Sequence, residues 1–335
     1  SDLDLVLIGC DEYRGQYSRA QFHAPERLRE EFFALYNWHP DIKIGDLGNV
    51  RHGITLADTR AALKLLLAAM HAYGKRVLIL GGSHDLTIQQ YEVFRDREEI
   101  IDFSVIDMLA DLGEGEVEDY SNYLLSVLTS VPNFVHHFNL IGFQSYYVQP
   151  EVIQTLDNLR FDCLRLGKAR EDLEQVEPML RHSHLLSLDI HAVRHSDAPS
   201  GPHPSPNGFY GEEICKLTRF AGMSEKLCSF GIYGYHPETD EKKLTARLIA
   251  QMIWYYIDGL HIAMKEAPMQ ERDHFLEYQI TFTDQYYVFL KSKRSNRWWM
   301  KLTDGRLIPC SHKDYLTACN NEMPERWLRE MERMV

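Results

Sequence analysis

Acidic and imidazole side chains follow three apolar segments of the sequence, each at the point where the segment ends. These side chains are His84, Asp107, Asp111, Asp189 and His191. Carboxylates mixed with imidazoles suit Mn²⁺, Zn²⁺ or Fe²⁺, and hard oxygen ligands favour Mn²⁺ or Mg²⁺. Buried carboxylates that come together repel each other unless a cation lies between them. The residue types therefore predict a site for a divalent metal ion.

Each of these residues also has a purely structural interpretation. A lone histidine after Gly81 and Gly82 is often a turn or capping residue. Aspartate is favoured at the start of a helix, and that preference alone can explain all three acids. The metal interpretation is favoured by the coincidence of several such residues at neighbouring strand ends, because ligand sites of open parallel sheets lie outside the carboxyl ends of the strands.

Short apolar runs alternate with longer helical patterns along most of the chain. The candidate strands are Leu3–Gly9, Ile42–Leu47, Arg76–Leu80, Asp102–Asp107, Phe138–Gly142, Cys163–Leu166, Leu185–Ile190 and Cys228–Ile232. Most of them are continuously apolar, which is typical of parallel strands that helices cover on both faces. The clearest helix is Thr55–Lys75, where Thr55 and Asp58 form a capping-box-like start and Gly74 is placed to end it. The alternation predicts a wound α/β fold.

The pattern changes after about residue 265, where the sequence predicts an antiparallel meander and a closing helix. The predicted elements are the strands Leu276–Thr283, Tyr286–Ser292 and Trp298–Leu302 and the helix Pro324–Val335. We therefore divide the chain into an α/β domain at residues 1–264 and a C-terminal extension at residues 265–335. The sequence leaves open whether this extension covers a sheet edge, makes a subunit contact or packs on the main core.

Composition limits the possible partners and compartment. The formal net charge of −13 argues against nucleic-acid and acidic-membrane partners, because both of these carry phosphate. There is no apolar run near the ~18 residues that are needed to span a bilayer. The six cysteines are scattered without a CxxC pair, which indicates free thiols and predicts a cytoplasmic protein.

The motifs around these residues resemble the signatures of the arginase (ureohydrolase) family. The resembling segments are LGGSHD at 80–85 (family LGGDHS), DMLAD at 107–111 (D-A-H-x-D), SLDIH at 187–191 (S-x-D-x-D), APSG at 198–201, APERLR at 24–29, DLGNV at 46–50 and HPETD at 236–240. They follow the family's order over about residues 3–262. The resemblance implies a three-layer α/β/α fold with a mainly parallel eight-stranded sheet. Overall character and length are closest to the formimidoylglutamase branch.

In this family two Mn²⁺ ions activate a water molecule that attacks an amidine or guanidine carbon. The resemblance implies one metal position at His84, Asp107, Asp111 and Asp189. A second position would need the histidine of D-A-H-x-D and the second acid of S-x-D-x-D, which are Leu109 and His191 here. We therefore expect one Mn²⁺ ion rather than two. His191 is expected to be a ligand or a general base, and Asp111 and His191 are the candidate catalytic residues.

Further departures from the family bear on substrate and proton transfer. Gly234 stands where several members have the Glu of E-x-N-P, which holds a cationic substrate, and this argues against arginase or agmatinase activity. The loop Leu112–Tyr123 has no equivalent of the family's proton-shuttling histidine. We interpret the nearby His195, His203 and His236 as surface or loop histidines.

Two classes of function remain open. The first is a metal-dependent hydrolase of a C–N bond in a linear amidine or guanidine, which acts on a small-molecule substrate. The alternative is a catalytically inactive relative that binds a ligand or a partner. The chain lacks both the family histidine at the position of Leu109 and the substrate glutamate, and the joint loss of these two side chains is what decay of activity would look like. Relatives often form trimers or hexamers, so a homo-oligomer is expected.

Overall fold

Eight parallel strands form the central sheet in a computed structural model that describes residues 2–113, 119–282 and 285–333. They are β1 (Leu5–Gly9), β2 (Ile44–Asn49), β3 (Arg76–Leu80), β4 (Ile101–Ile106), β5 (Val135–Phe143), β6 (Asp162–Arg165), β7 (Leu185–Asp189) and β8 (Ser229–Tyr233). Their order across the sheet is β2-β1-β3-β8-β7-β4-β5-β6. All eight predicted strands and the parallel sheet are confirmed, with bounds that shift by at most a few residues.

Helices connect the strands and pack on both faces of this sheet. They are α1 (Ala24–Phe33), α2 (Leu56–Ala72), α3 (Thr87–Arg95), α4 (Tyr123–Leu128), α5 (Pro150–Asn158), α6 (Leu166–Glu171), α7 (Val176–Arg181), α8 (Gly211–Gly222) and α9 (Leu244–Met264). Leu5 and Leu7 of β1 join the apolar cluster that contains α8 and α9, whereas Val6 and Ile8 join the cluster that contains α2. Because successive strand residues point to opposite faces, the two clusters lie on opposite sides of the sheet, as the predicted three-layer α/β/α architecture requires. Within the described ranges, no helix has the length and apolar character that a membrane crossing needs.

The helix α2 shows why the sequence specifies its ends. The Oγ1 of Thr55 accepts a hydrogen bond from the backbone N of Asp58 at 3.2 Å, and Oδ2 of Asp58 accepts one from the backbone N of Thr55 at 2.8 Å. This reciprocal pair satisfies two backbone donors that the first turn leaves unpaired. Gly74 lies beyond the last turn with φ +63°, a conformation that ends a helix and that glycine adopts without strain. The predicted capping box is confirmed.

A second, antiparallel sheet follows α9. Its strands are β9 (Phe275–Phe282), β10 (Gln285–Ser292), β11 (Trp298–Lys301) and β12 (Leu307–Cys310), in the order β12-β11-β10-β9, and the helices α10 (His312–Cys319) and α11 (Glu325–Glu332) come after them. The predicted meander and closing helix are confirmed, but β12 and α10 were missed. Thr283, Met334 and Val335, at the ends of predicted elements, lie outside the described residues.

The two missed elements have different causes. β12 contains Pro309, and a proline in a short apolar run argues against a strand. The proline is tolerated because β12 is an edge strand, paired with β11 only, where Pro309 lies opposite Trp299. The helix α10 does carry a start signal, since Ser311 and Asp314 form a capping box.

Two buried arginines join the extension to the α/β sheet. The Nη1 of Arg181, at the end of α7, donates to the carbonyl of Trp298 at 2.7 Å, and its guanidinium lies 4.6 Å from the ring centroid of Trp299. From the other side, Nη1 of Arg297 donates to the carbonyl of Met223 at 2.8 Å. The extension therefore packs on the main core, one of the three alternatives that the sequence left open. The division at residues 264 and 265 into two domains stays a prediction.

The closing helix α11 is held by Asp162, the first residue of the edge strand β6. Oδ1 of Asp162 lies 3.1 Å from Nη1 of Arg329, and its Oδ2 lies 3.1 Å from Nη2 of Arg333 and 3.0 Å from Nε2 of His137. Burial alone would raise the pKa of Asp162, but His137 and Arg333 together hold this pKa well below its ordinary value. The carboxylate is thus a charged anchor for the end of the extension.

An Asp162→Asn variant tests this anchor. We expect its free energy of unfolding at pH 7 to fall by ~2 kcal/mol, because charge-assisted hydrogen bonds are lost. A carboxylate whose pKa is lowered by folding stabilises the folded state at pH values above the ordinary aspartate pKa of ~3.9. This stabilisation is lost progressively as the pH falls below that value. Urea unfolding should therefore show a smaller difference in stability between wild type and Asp162→Asn at pH 3 than at pH 7. The control Asp157→Asn removes only an exposed partner of Arg329 and should change stability by less than ~0.5 kcal/mol. A difference that does not depend on pH would contradict the anchor.

Candidate metal centre

The central strands of the sheet bring the predicted metal ligands to one edge. His84 follows β3, Asp107 follows β4 and Asp189 is the last residue of β7, and only β8 lies between β3 and β7. Parallel strands carry their carboxyl ends on the same edge, so the three side chains converge. All three are buried, with exposed fractions of 1% for His84, 3% for Asp107 and 5% for Asp189.

The Nδ1 atom of His84 is the point of convergence. It lies 3.0 Å from Oδ2 of Asp111, 3.1 Å from Oδ2 of Asp107 and 3.7 Å from Oδ2 of Asp189. Asp111 reaches this position from a left-handed backbone conformation with φ +46°, which aspartate tolerates better than most residues. Three carboxylates from two segments of the chain therefore face one ring nitrogen.

The other nitrogen of the His84 ring fixes its orientation. Nε2 lies 2.8 Å from Oγ of Ser187 and 3.1 Å from the hydroxyl of Tyr123. With its Nε2 proton donated to Ser187, the ring presents Nδ1 to the carboxylates, where this atom can bind a cation or carry the second proton that the raised pKa of His84 favours. Histidines that ligate metals usually have their second nitrogen held in this way.

Ser187 and Tyr123 are not among the site residues that the sequence predicts. Ser187 stands two residues before Asp189 in β7 and so points to the same face, a period-two signal that could have found it. Tyr123 is the first residue of α4, and no pattern in the sequence singles it out.

The electrostatics show an excess of negative charge. Burial and the neighbouring Asp107 raise the pKa of Asp111 well above its usual range. Burial alone would lower the pKa of His84, but Asp107 and Asp111 raise it well above the ordinary histidine value. Both shifts have the direction expected when carboxylates compete for too few positive charges, and a divalent cation would relieve them.

The residues fit a divalent metal ion. His84, Asp107 and Asp111 each offer one ligand atom, and these atoms lie within 4.8 Å of one another. Oδ2 of Asp189 faces the same ring nitrogen and completes the predicted set. One imidazole with carboxylate oxygens is a donor set that suits Mn²⁺. That these residues hold a metal stays a prediction.

His191 lies beside Asp189 and occupies one of its oxygens. Oδ1 of Asp189 accepts from the backbone N of His191 at 2.7 Å and lies 2.5 Å from its Nδ1. Burial alone would raise the pKa of Asp189, but His191 lowers it to about 2. Burial likewise opposes charge on His191, whereas Asp189 raises its pKa above the ordinary value. Nε2 of His191 is buried and has no hydrogen-bond partner among the described residues, and it faces Gly201, where an added Cβ would lie 2.1 Å away.

Two further positions where the sequence departs from the family, besides His191, lie next to this centre. Leu109 presents only an apolar side chain, and its backbone N donates to Oδ1 of Asp107 at 3.2 Å. Gly234 follows β8 with φ +78°, and a Cβ there would lie 2.7 Å from Oδ1 of Asp189. No side chain fits at residue 234 while Asp189 keeps its place.

The other histidines near the site in sequence are placed differently from one another. His195 and His203 are exposed, and the His203 ring centroid lies 5.9 Å from that of His191. His236 lies in a loop but is buried, with its Nε2 3.0 Å from Oε1 of Gln16. Part of the loop Leu112–Tyr123, residues 114–118, lies outside the described residues.

Comparison with known proteins gives the family. The sequence model of the Arginase family matches residues 1–258. The chain is 25% identical over 255 residues to a formimidoylglutamase of Staphylococcus epidermidis, covering 68% of this chain and 76% of that protein. It is 25% identical over 289 residues to a formimidoylglutamase of Vibrio cholerae, covering 75% of this chain and 82% of that protein.

A solved structure shares the fold. The Trypanosoma cruzi formiminoglutamase with Mn²⁺ aligns with a TM-score of 0.70 at 17% identity, covering 77% of this chain and 94% of that one. The chain therefore belongs to the arginase family, as a divergent, formimidoylglutamase-like member. Membership supports a hydrolase that acts on C–N bonds, the class that the sequence motifs implied. The extension lies beyond the matched residues.

A Gly234→Ala variant tests the packing of Asp189. We expect Mn²⁺ affinity to fall at least ~10-fold, because the new methyl group displaces a carboxylate that faces His84. Gly305→Ala is a matched control, since Gly305 has φ +90° and its Cβ would meet only Cε of Lys301 at 3.9 Å. Both variants should lose ~1–2 kcal/mol of stability through backbone strain. Mn²⁺ titration should separate them, and equal Mn²⁺ affinities for the two variants would refute the placement of Asp189.

Proposed function

We propose that the protein is a formimidoylglutamase-like hydrolase that cleaves a C–N bond of a linear amidine with one Mn²⁺ ion. The observation that carries this proposal is the convergence of buried carboxylates on Nδ1 of His84. The residues that would hold the ion are His84, Asp107, Asp111 and Asp189. A structural histidine would not need three acids within 4 Å of the same nitrogen, because their desolvation is costly.

The environment of Asp189 supports one ion rather than two. His191 already occupies Oδ1 of Asp189, the oxygen that a second ion beside the first would need. A protonated His191 supplies a positive charge at that position, so one divalent ion and one imidazolium balance the three carboxylates. Leu109 adds no ligand. The substitutions at residues 109 and 191 therefore act in the same direction.

The side chains around the ion have distinct roles in this proposal. A divalent ion bound here would act as a Lewis acid and lower the pKa of water. Ser187 and Tyr123 hold the His84 ring, so that its Nδ1 keeps a fixed direction. Asp189 holds Nδ1 of His191, which leaves Nε2 as the atom where a proton can be taken up or released. Asp111, which would be a ligand of the ion, is the second candidate catalytic residue because its carboxylate would lie beside the position of the bound water.

The substrate follows from what the site lacks. Gly234 provides no carboxylate at the family's substrate-glutamate position, and its contact with Asp189 prevents any side chain from being placed there. A guanidinium would lose this counter-charge, which argues against arginine and agmatine and leaves a small linear amidine as the proposed substrate. The relatives that carry the name formimidoylglutamase agree with this class of substrate.

A non-catalytic binding protein is the second candidate. The observation in its favour is that Leu109 and Gly234 stand where the family has a metal-ligating histidine and the substrate glutamate. Joint loss of these two side chains is what decay of activity would produce.

Metal analysis and a substrate panel distinguish the two candidates. We expect about one equivalent of Mn²⁺ after loading, together with release of ammonia or formamide from N-formimidoyl-glutamate and little urea from arginine or agmatine. Asp107→Asn should lose both the metal and the activity. If the protein holds no metal at any Mn²⁺ concentration and its thermal stability does not change, the hydrolase proposal is wrong. Stoichiometric metal without turnover on any amidine would favour the binding protein.

A Leu109→His, His191→Asp double variant tests the count of ions. Restoring both ligands should add a second Mn²⁺ equivalent, because the new acid frees Oδ1 of Asp189 and the new imidazole offers a nitrogen donor. Each single variant is a control and should gain much less. Metal analysis of all four proteins measures this, and a double variant that stays at one equivalent would contradict the alignment of DMLAD with D-A-H-x-D.

Compartment and assembly rest on separate arguments. All six cysteines are free thiols, which supports a reducing compartment and the cytoplasm. A homo-oligomer is inferred from the family resemblance alone, and light scattering of the purified protein tests it.

A further inference from the structure

We propose a second metal site, formed by His39, Asp41 and His261, that binds Zn²⁺ or a similar late transition-metal ion. Each of the three residues offers one ligand atom, and these atoms lie within 4.8 Å of one another. The site is separate from the candidate metal centre and shares no residue with it. It joins the loop between α1 and β2 to the last turn of α9.

The topology places this second site at the opposite end of the sheet. His39 and Asp41 come just before β2, at the amino end of that strand. The helix α9 begins after the carboxyl end of β8 and runs back along the sheet, so that His261 near its end lies at the amino ends of the strands. The candidate metal centre lies at the carboxyl ends, and the two sites can therefore be studied independently.

His39 is oriented as a metal ligand. Its Nε2 lies 3.0 Å from Oδ1 of Asp258, and Oδ2 of Asp258 accepts in turn from Nε of Arg219 at 2.5 Å. With the Nε2 proton donated to this carboxylate, Nδ1 of His39 carries a lone pair. A carboxylate that holds the second nitrogen is a recurrent feature of histidine ligands and fixes both the tautomer and the ring.

His261 presents a ring nitrogen that no hydrogen bond satisfies. Its Nδ1 is buried and lies 2.9 Å from Oδ2 of Asp41, but the contact does not have hydrogen-bond direction, and Nδ1 has no other partner among the described residues. The His39 and His261 rings face each other with centroids 4.3 Å apart and an interplanar angle of 31°. The two rings therefore bring two imidazole nitrogens close to one carboxylate oxygen.

The donor set decides the kind of ion. Two imidazole nitrogens and one carboxylate oxygen match the ligands of Zn²⁺, which takes four ligands and accepts water as the fourth. Ca²⁺ and Mg²⁺ need mainly oxygen donors, so neither is expected to bind here. Mn²⁺, with its preference for harder ligands, is expected to favour the candidate metal centre.

The ammonium group of Lys265 competes with the ion for the imidazole of His261. Its Nζ lies 2.6 Å from Nε2 of His261, one helical turn away. An ion on Nδ1 of His261 leaves the proton on Nε2, so the ammonium group must then turn away. The two positive charges also repel each other. Removal of the charge of Lys265 should therefore strengthen binding, an effect that loss of folding cannot imitate.

Tryptophans beside the site provide a local signal. The ring centroid of Trp254 lies 6.0 Å from that of His39 and 6.5 Å from that of Trp38, and Nε1 of Trp254 donates to the carbonyl of Tyr36 at 3.0 Å. A paramagnetic ion such as Co²⁺ at His39 would quench the emission of these tryptophans. Quenching thus reports on this site rather than on the metal centre at the other end of the sheet.

The experiment measures Zn²⁺ affinity by competition with a chromophoric chelator, and tryptophan quenching by Co²⁺, on the full chain. We expect Asp41→Asn and His261→Ala to weaken Zn²⁺ binding at this site at least ~10-fold and to abolish the quenching. His274→Ala is the matched control, because His274 is a surface histidine paired with Glu271 without a second imidazole. It should behave as wild type, as should Asp107→Asn in the quenching measurement.

The Lys265→Gln variant should change Zn²⁺ affinity in the opposite direction. We expect Zn²⁺ to bind ~5-fold or more tightly, since a like charge no longer lies close to the ion. Lys168→Gln, on a different helix, is its control and should leave the affinity unchanged. Quenching that persists in Asp41→Asn and His261→Ala, or a Zn²⁺ affinity that none of these variants changes, would overturn the second site.

Discussion

Repulsion among three buried carboxylates is the constraint on which the rest of this structure depends. Asp107, Asp111 and Asp189 are brought to one nitrogen of His84 by strands that also form the centre of the sheet. The apolar clusters on the two faces of the sheet have to hold these side chains together against their mutual repulsion. A cation at this point would relieve the repulsion, so metal binding here would be coupled to folding of the centre of the molecule.

Asp189 connects most of the unusual features of the centre. One of its oxygens faces His84, the other is held by His191, and its carboxyl group leaves no space for a side chain at Gly234. Two of the departures from the family pattern, at residues 191 and 234, therefore meet at the same carboxylate. This shared contact supports the proposal that the two positions changed together.

The sequence predicted the fold well because its strands are continuously apolar and its helix ends carry local signals. Arg76–Leu80 and the Thr55 capping box are examples in which nearest neighbours along the chain determine the structure. Local patterns failed where a strand depends on its partner, as in β12, whose Pro309 is acceptable only at a sheet edge.

The same distinction applies to the sites. His84, Asp107 and Asp189 could be named because each lies at or shortly after the end of a strand, and the order of parallel strands brings such residues together. Tyr123 could not, since its contact with His84 depends on how a loop and α4 fold back over the sheet. His39 and His261 come from distant parts of the chain, and no spacing rule links them. Contacts between remote segments need the three-dimensional structure.

The place of the extension has a practical consequence. Arg297 of the extension donates to Met223, which precedes β8, and Arg333 of the extension pairs with Asp162, which begins β6. Both contacts lie at the amino edge of the sheet. The candidate metal centre lies at the other edge. A label, tether or fusion partner attached to the extension would therefore lie away from the candidate metal centre, which suits immobilised assays and single-molecule work.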